Sequence, residues 1–306
     1  MKTEAVLAEL PRRARVAVIR LRSLGDCVLT TPALALLSQY RPDLRVAVVV
    51  EHRFAAVFED NPEVEVLLAP RIRVLRGWRP DLTLNLHGGT RSAVLTAASG
   101  ARFRAGFAHF RYSFLYSVKI PGAQQILGEE RVVHTAEHLA SAVFYLGVPR
   151  AEIPGARLFV GRAKPATRPY AVLHPAASRP DKTWPAERFL ELAVLLRRDY
   201  DLEPVFIGGR DDDLAAFAGY ETRTGRPLAE IKSLVAGAAL FVGNDSGPAH
   251  LAAAFGLPVV VLFGSSDHRV WRPWKTPAEV LTHSSGIAAI ATEDVLAALS
   301  RLRVHA

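Results

Sequence analysis

Residues 242 to 264 read VGNDSGPAHLAAAFGLPVVVLFG. An Asp-Ser-Gly turn leads into a small-residue segment of helical length, and a continuous apolar run follows. A buried strand, a turn, a helix and a second buried strand make the repeating unit of a parallel sheet covered on both faces. In such sheets ligands gather at the carboxyl ends of the strands, where the next helix begins. Gly243 and Gly247 let the backbone turn tightly there. Ser246, Gly247 and the residues after them can present amide N–H groups at a helix start whose dipole favours anions. Pro248 suits a first helical turn, because its missing N–H would have no intrahelical partner. This chemistry is a cradle for a phosphate or diphosphate, although a capped helix start, with Asp245 and Ser246 as caps, would produce a similar string. His250, one turn inside, either packs in the core or donates a hydrogen bond to the bound anion.

Working outward, short β-branched runs recur between helix-like segments. They are RVAVIRL, RVAVVVE, VEVLLA and DLTLNLHG in the first half, then YAVLHPAA, EPVFIGG, LFVGND and PVVVLFG in the second. The series appears twice, which predicts two α/β domains with a cleft between them, residues 1–160 and 161–306. GVPRAEIPGARLFVGRAKPATRP, rich in Pro, Gly and Arg, reads as the crossover near residues 150 to 168. The tail TEDVLAALSRLRV has helical spacing, with Thr292 as the expected N-cap.

A second loop has phosphate chemistry. LHPAASRPDKTWPAERF carries Ser178, Arg179 and Lys182 between a strand end and a helix opened by Pro185. A hydroxyl, a guanidinium and an ammonium at that place suit neutralisation of a diphosphate leaving group; an ordinary basic loop is the alternative. In the first half RSLGDCVLTTPALALL follows the first strand. Gly25 permits the turn, and Asp26 is either a helix cap or a carboxylate able to take a proton from a sugar hydroxyl. Thr31 before Pro32 reads as an N-cap where the helix restarts. Cys27 reads as a small buried side chain. No G-x-G-x-x-G follows the first strand, so Glu51, placed where a ribose-binding acid would fall, carries little weight for a dinucleotide site. The acidic triplet 211–213 reads as first-turn helix stabilisation rather than as a metal site.

The chain has 306 residues, half of them apolar, enough for two cores. Its longest apolar runs fall well short of the roughly 20 residues of a membrane-spanning helix, and charges interrupt any signal core at the N-terminus, so a cytoplasmic location is expected. One cysteine excludes an internal disulfide and a cysteine-based zinc cage. Residues 1 to 150 hold 20 Lys/Arg against 13 Asp/Glu, nearly the whole net charge of +8. Such a surplus serves solubility or attracts an anionic partner. FRAGFAHFRYSFLYSVKI interleaves aromatic and basic residues but matches no nucleic-acid module, and no nucleic-acid partner is expected.

Four segments in this order, RLRSLGDCVLTTPAL, LNLHGGTRSA, HPAASRPDKTWPAERF and GNDSGPAHLAAAFGLPVVVLFG, resemble the bacterial heptosyltransferase family, glycosyltransferase family 9. The resemblance runs over nearly the whole chain. It implies a GT-B architecture, two facing Rossmann-like domains with parallel sheets and a deep interdomain cleft, the first binding acceptor and the second binding nucleotide sugar. It implies inverting, metal-independent transfer of heptose from ADP-L-glycero-D-manno-heptose to a lipopolysaccharide inner-core acceptor, Kdo or heptose, by a monomer without cofactor. The same reaction on another nucleotide sugar or acceptor, or a noncatalytic nucleotide-sugar-binding module, are the alternatives. Asp26 matches the family's proposed catalytic base. Lys182 matches the lysine on the donor phosphates, with Ser178 in the same loop, and Asp245, Ser246, Gly247 and His250 match the donor-binding turn. Arg22, Arg91, Arg104 and Arg111, with Arg20, Arg102 and Lys119 near them, would meet an anionic glycolipid acceptor. RIRVLRGWRP would rest on the cytoplasmic face of the inner membrane, or form a surface helix with snorkelling arginines. Two departures stand out. Arg210 in IGGRDDD falls where some members carry a ribose-binding acid, while Ile231 is placed to pack against an adenine face. The chain also passes from VLTHSS to GIAAIATEDVL without the cysteine-bearing segment of many members.

Overall fold

The structure, a computed structural model, describes residues 6–161 and 168–304. The chain divides into two compact units, Met1–Phe159 and Val160–Ala306. Part of the expected crossover, residues 162–167, lies outside the described residues.

The first unit holds strands β1 (Arg15–Ile19), β2 (Arg45–Val49), β3 (Val66–Leu68), β4 (Leu82–Asn85), β5 (Phe103–Phe107) and β6 (Val118–Ile120). Its helices are α1 (Val6–Glu9), α2 (Leu24–Val28), α3 (Thr31–Tyr40), α4 (Ile72–Trp78), α5 (Thr90–Ala97), α6 (Ala123–Leu127) and α7 (Thr135–Tyr145). The strand order is β3-β2-β1-β4-β5-β6, every pair parallel. The second unit holds β7 (Tyr170–His174), β8 (Glu203–Gly208), β9 (Glu221–Thr224), β10 (Leu240–Asn244), β11 (Val259–Leu262) and β12 (Ala278–Leu281), with α8 (Ala186–Asp199), α9 (Leu228–Ala236), α10 (Gly247–Ala254), α11 (His268–Trp271) and α12 (Thr292–Arg301). Its order, β12-β11-β10-β7-β8-β9, is again all parallel.

Each sheet therefore grows two strands outward from its first strand, returns to that strand's other side, and grows three more. This is the doubly wound Rossmann order, and it occurs twice. The switch points lie between β1 and β4 and between β7 and β10. Central strands such as VVVL of β11 are buried along their whole length, as expected for sheets covered on both faces. In the second unit the core gathers Trp184, Phe189, Phe206 and Phe217, with Phe206 and Phe217 stacked at 4.2 Å. Ile19, Leu21, Val49, Leu75 and Leu95 pack one face of the first sheet.

Several local expectations shift. The helix restarts near Pro32 as anticipated, but Thr30 is its N-cap, and the Thr31 hydroxyl instead donates to the Val28 carbonyl (2.8 Å). Likewise Thr292 is the first residue of α12, preceded by Ala291, and its hydroxyl donates to Glu191. The acidic triplet opens no α-helix. Asp213 accepts the amide of Ala215 at 2.9 Å to start a single 3-10 turn, and Asp212 accepts the amide of Gly209 at 2.6 Å. The aromatic stretch 103–120 supplies β5 and β6.

Candidate active site

Topology selects where to look, because the loops after β7 and β10 and those after β1 and β4 are neighbours at their strands' carboxyl ends. In the second unit Asn244, the last residue of β10, joins its two loops. Its side-chain oxygen accepts the Trp184 amide (3.0 Å) and its nitrogen donates to the Pro175 carbonyl (2.7 Å), all within the interior. The 175–184 segment is thus fastened at both ends. Trp184 is fully buried and donates its indole N–H to the Ile290 carbonyl at 2.9 Å. Gly264, after β11, presses on the same segment: a Cβ there would lie 1.9 Å from the Asp181 carbonyl oxygen, so only glycine fits.

On this frame Lys182 Nζ stands 3.6 Å from Asp245 Oδ2. That is an ion pair beyond hydrogen-bond range, which leaves the ammonium donors available to a ligand. Ser246 caps α10, and its hydroxyl lies 2.9 Å from His174 Nδ1 at the end of β7. Burial pushes the His174 imidazole down to about 4, so the ring is neutral near pH 7. The Ala249 amide already bonds the Ser246 carbonyl and Pro248 has no N–H, which leaves the Ser246 and Gly247 amides to face an anion at the helix start. His250 is buried one turn inside α10, and Ser178 is exposed. Arg179 is not arranged as expected: its guanidinium grips Asp181 (Nη2–Oδ2 2.6 Å), whose carboxyl is held low by the Ser265 hydroxyl and by Arg179 itself. Arg210 is exposed on the loop after β8, beside Gly225. Ile231 lines a groove of about 340 Å³ on α9, shared with Tyr170, Arg223 and Arg226.

In the first unit the β1 and β4 loops touch where His87 Nδ1 lies 3.1 Å from the Arg22 carbonyl. Asp26, third residue of α2, accepts the Ser23 hydroxyl (2.8 Å) and amide (3.3 Å) on Oδ2 and Arg20 Nη1 (3.2 Å) on Oδ1. The capping role is therefore real, yet it occupies one oxygen, and the side chain is 23% exposed. Arg20 is buried and closes the floor of this site. Beyond it His138 stacks on Phe107 at 4.1 Å, with His109 5.5 Å away. Burial pushes His138 down to about 4 and lowers His87 and His109 as well. Neutral imidazoles both donate and accept, which suits sugar hydroxyls. The sequence does not mark out His87, His109, His138 and His174: His174 ends β7, His87 and His109 follow β4 and β5, and His138 lies in the first turn of α7, places that become a group only once the elements are assembled.

Arg22 and Arg111 are exposed in loops after β1 and β5, the latter with its guanidinium over Tyr112. Arg91, at the start of α5, pairs with Glu51 at 3.4 Å; that acid also pairs with Arg53. Arg104 does not join them. It lies within β5 and its guanidinium turns back to the Ala101 carbonyl, toward the amino end of the strand. Arg102 pairs with Glu9. Cys27 is buried, which pushes its thiol up to about 12 and rules it out as a nucleophile. No cluster of three or more potential metal ligands occurs among the described residues.

Residues 71–289 match the profile of glycosyltransferase family 9 (heptosyltransferase). The chain belongs to this family. It is accordingly a glycosyltransferase with the GT-B fold class. Lipopolysaccharide heptosyltransferase 3 of Escherichia coli (strain K12) is 28% identical, covering 91% of this chain and 95% of its own. A glycosyl transferase family 9 structure from Veillonella parvula superposes with a TM-score of 0.83 at 23% identity, covering 99% of this chain and 98% of its own. The Escherichia coli heptosyltransferase WaaC with ADP superposes with a TM-score of 0.76 at 21% identity, covering 94% and 99%.

Proposed function

We propose that this family 9 enzyme moves heptose from ADP-L-glycero-D-manno-heptose onto a lipopolysaccharide inner-core sugar, Kdo or heptose, with inversion. The observation that carries the reading is the opposite chemistry of the two switch points: a carboxylate after β1, and an ammonium with helix-start amides after β7 and β10. The names of its relatives and the ADP held by WaaC agree with it.

In this reading residues 1–160 hold the acceptor and residues 161–306 the donor. Asp26 takes the proton of the acceptor hydroxyl as its oxygen attacks the anomeric carbon, and the bond to the diphosphate breaks on the other face. One displacement inverts the configuration. Lys182, with the Ser246 and Gly247 amides, meets the charge that grows on the departing ADP, so no metal is required. Ser178, Asp245 and His250 shape that pocket. Arg210 and Ile231 flank the nucleoside, and Arg210 in place of an acid makes the base and sugar of the donor the first property to measure. Arg22, Arg91 and Arg111 face the anionic groups of the acceptor. The enzyme works as a monomer at the cytoplasmic face of the inner membrane, held there peripherally. Among the described residues no helix is long and apolar enough to cross a membrane.

Asp26→Asn is expected to lower transfer at least 100-fold, with or without a chelator, while ADP still raises the melting temperature as in the parent. Full turnover by this variant would remove Asp26 from the chemistry. A larger thermal shift with GDP or UDP than with ADP would overturn the donor assignment.

A further inference from the structure

We infer that Oδ1 of Asp26 is the atom that receives the proton, and that Ser23 and Arg20 are positioning residues that leave this atom, and no other, open to the acceptor. The inference deepens the reading of Asp26 as base and rests on it.

A carboxylate offers about four lone-pair directions. Three are taken by described donors: the Ser23 hydroxyl at 2.8 Å and the Ser23 amide at 3.3 Å both fall on Oδ2, and Arg20 Nη1 at 3.2 Å falls on Oδ1. Oδ2 is full. The remaining lone pair belongs to Oδ1, on a side chain that is 23% exposed and so within reach of a hydroxyl. Both positioning groups are themselves fixed. Ser23 is the N-cap of α2, and because Asp26 is the third residue of that helix its carboxylate lies over the cap by helix geometry. Asp26 is tied at its own carbonyl too, which accepts the Thr30 hydroxyl at 2.8 Å. The Arg20 side chain follows β1 directly and is 6% exposed, and its Nε has no hydrogen-bond partner among the described residues. A buried guanidinium with one firm partner is costly to fold, and its charge is met by Asp26.

The consequence for the reaction is directional. The O–H bond of the acceptor breaks toward Oδ1, its electron pair forms the new bond to the anomeric carbon, and the glycosidic electron pair leaves with the diphosphate. Removing the Ser23 hydroxyl takes away the shortest of the three ties, loosens rotation about the Cβ–Cγ bond and opens a lone pair of Oδ2 to water, so the reactive lone pair is aimed correctly for a smaller share of encounters.

The test compares Ser23→Ala, Ser23→Thr and Asp26→Asn in steady-state transfer, with melting temperatures measured alongside. Ser23→Ala is expected to lower kcat about tenfold, leave KM for donor and acceptor within about twofold and, as the loss of a helix N-cap, lower the melting temperature only slightly, whereas Ser23→Thr, which retains the hydroxyl, stays within about twofold of the parent in kcat. Arg20→Gln, where it folds, is expected to lose kcat in the same pattern. Parent-like kcat in Ser23→Ala with an inactive Asp26→Asn would overturn the positioning role and leave the base intact. Equal losses in the Ala and Thr variants, or a loss confined to KM, would also overturn it. An active Asp26→Asn would instead remove the reading on which the inference stands.

Discussion

His174 shows how a single side chain links the proposed donor site to the stability of its unit. The ring is enclosed where β7 meets β10, and its Nδ1 engages Ser246, the N-cap of α10. Its ordinary value near 6.5 is pushed down to about 4 by burial, only partly offset by Asp212. Between those two values the unfolded chain binds a proton that the folded chain refuses, so stability rises with pH across this window and is complete above 6.5. The loss on acidification from 6.5 to 4 is on the order of 3 kcal/mol for this group. Urea midpoints at pH 7 and pH 4.5 check it: the parent is expected to lose much of its stability, and His174→Asn to show a shallower dependence. Identical slopes would assign the acid sensitivity elsewhere, with His138 the next group to test. Asp26, Lys182 and Ser246 are legible in the sequence because each sits in a turn of recognisable chemistry after an apolar strand. The histidines are not, since one histidine at a strand end has no pattern until its neighbours are placed.

At the scale of elements, the strand runs with uniform β-branched character were legible, while β5, β6, β9 and β12 were not. β9, Glu221–Thr224, is exposed at every position, and edge strands carry charges that hide them from a search for apolar runs. The restart of the helix at Pro32, between α2 and α3, is legible, but its cap lies at Thr30 rather than Thr31, because a cap is set by backbone angles that sequence constrains loosely. Nor does sequence show that Arg179 spends its guanidinium on Asp181, two residues away. Asn244 fastens the loop of residues 175–184 to its elements. Asn244→Ala strands the Trp184 amide and the Pro175 carbonyl in the interior, each costing about 1 to 3 kcal/mol when left unsatisfied. The expected outcome is a loss of about 2 to 4 kcal/mol by urea unfolding, together with weaker ADP binding in calorimetry. Unchanged ADP affinity at the lower stability would show that the loop holds its shape without this fastening.

The whole molecule repeats one strand order in two units, and the repetition is what brings separately coded loops together twice. The recurring strand runs foretold two sheets; they could not foretell which strands adjoin, and it is the order that makes β1 and β4, and β7 and β10, neighbours. Charge is not repeated in the same way. Of the net +8, +7 resides in residues 1 to 150. Within that half, α4 shows the feature relevant to a membrane surface: Leu75 is buried, Trp78 packs against the core, and Arg71, Arg73 and Arg76 are exposed beside Ile72 and Val74 at 41% and 37%. Trp78 is therefore not an anchor, and the attraction falls mainly to the arginines. Near an anionic bilayer each basic residue contributes about 1 kcal/mol, and the contribution fades beyond a Debye length of about 8 Å at physiological salt. Arg73 and Arg76 on this short helix, with Arg71 at its N-cap, would thus give weak, reversible docking that salt dissolves, in contrast to insertion of an apolar face. The enzyme is expected to cosediment with vesicles containing anionic lipid at low salt, to leave them at high salt, and to ignore neutral vesicles. Replacing Arg71, Arg73 and Arg76 with glutamate should abolish cosedimentation and preserve transfer to a soluble acceptor, since none of the three touches the Asp26 site. Cosedimentation that survives both salt and the triple replacement would place the docking surface elsewhere in the chain.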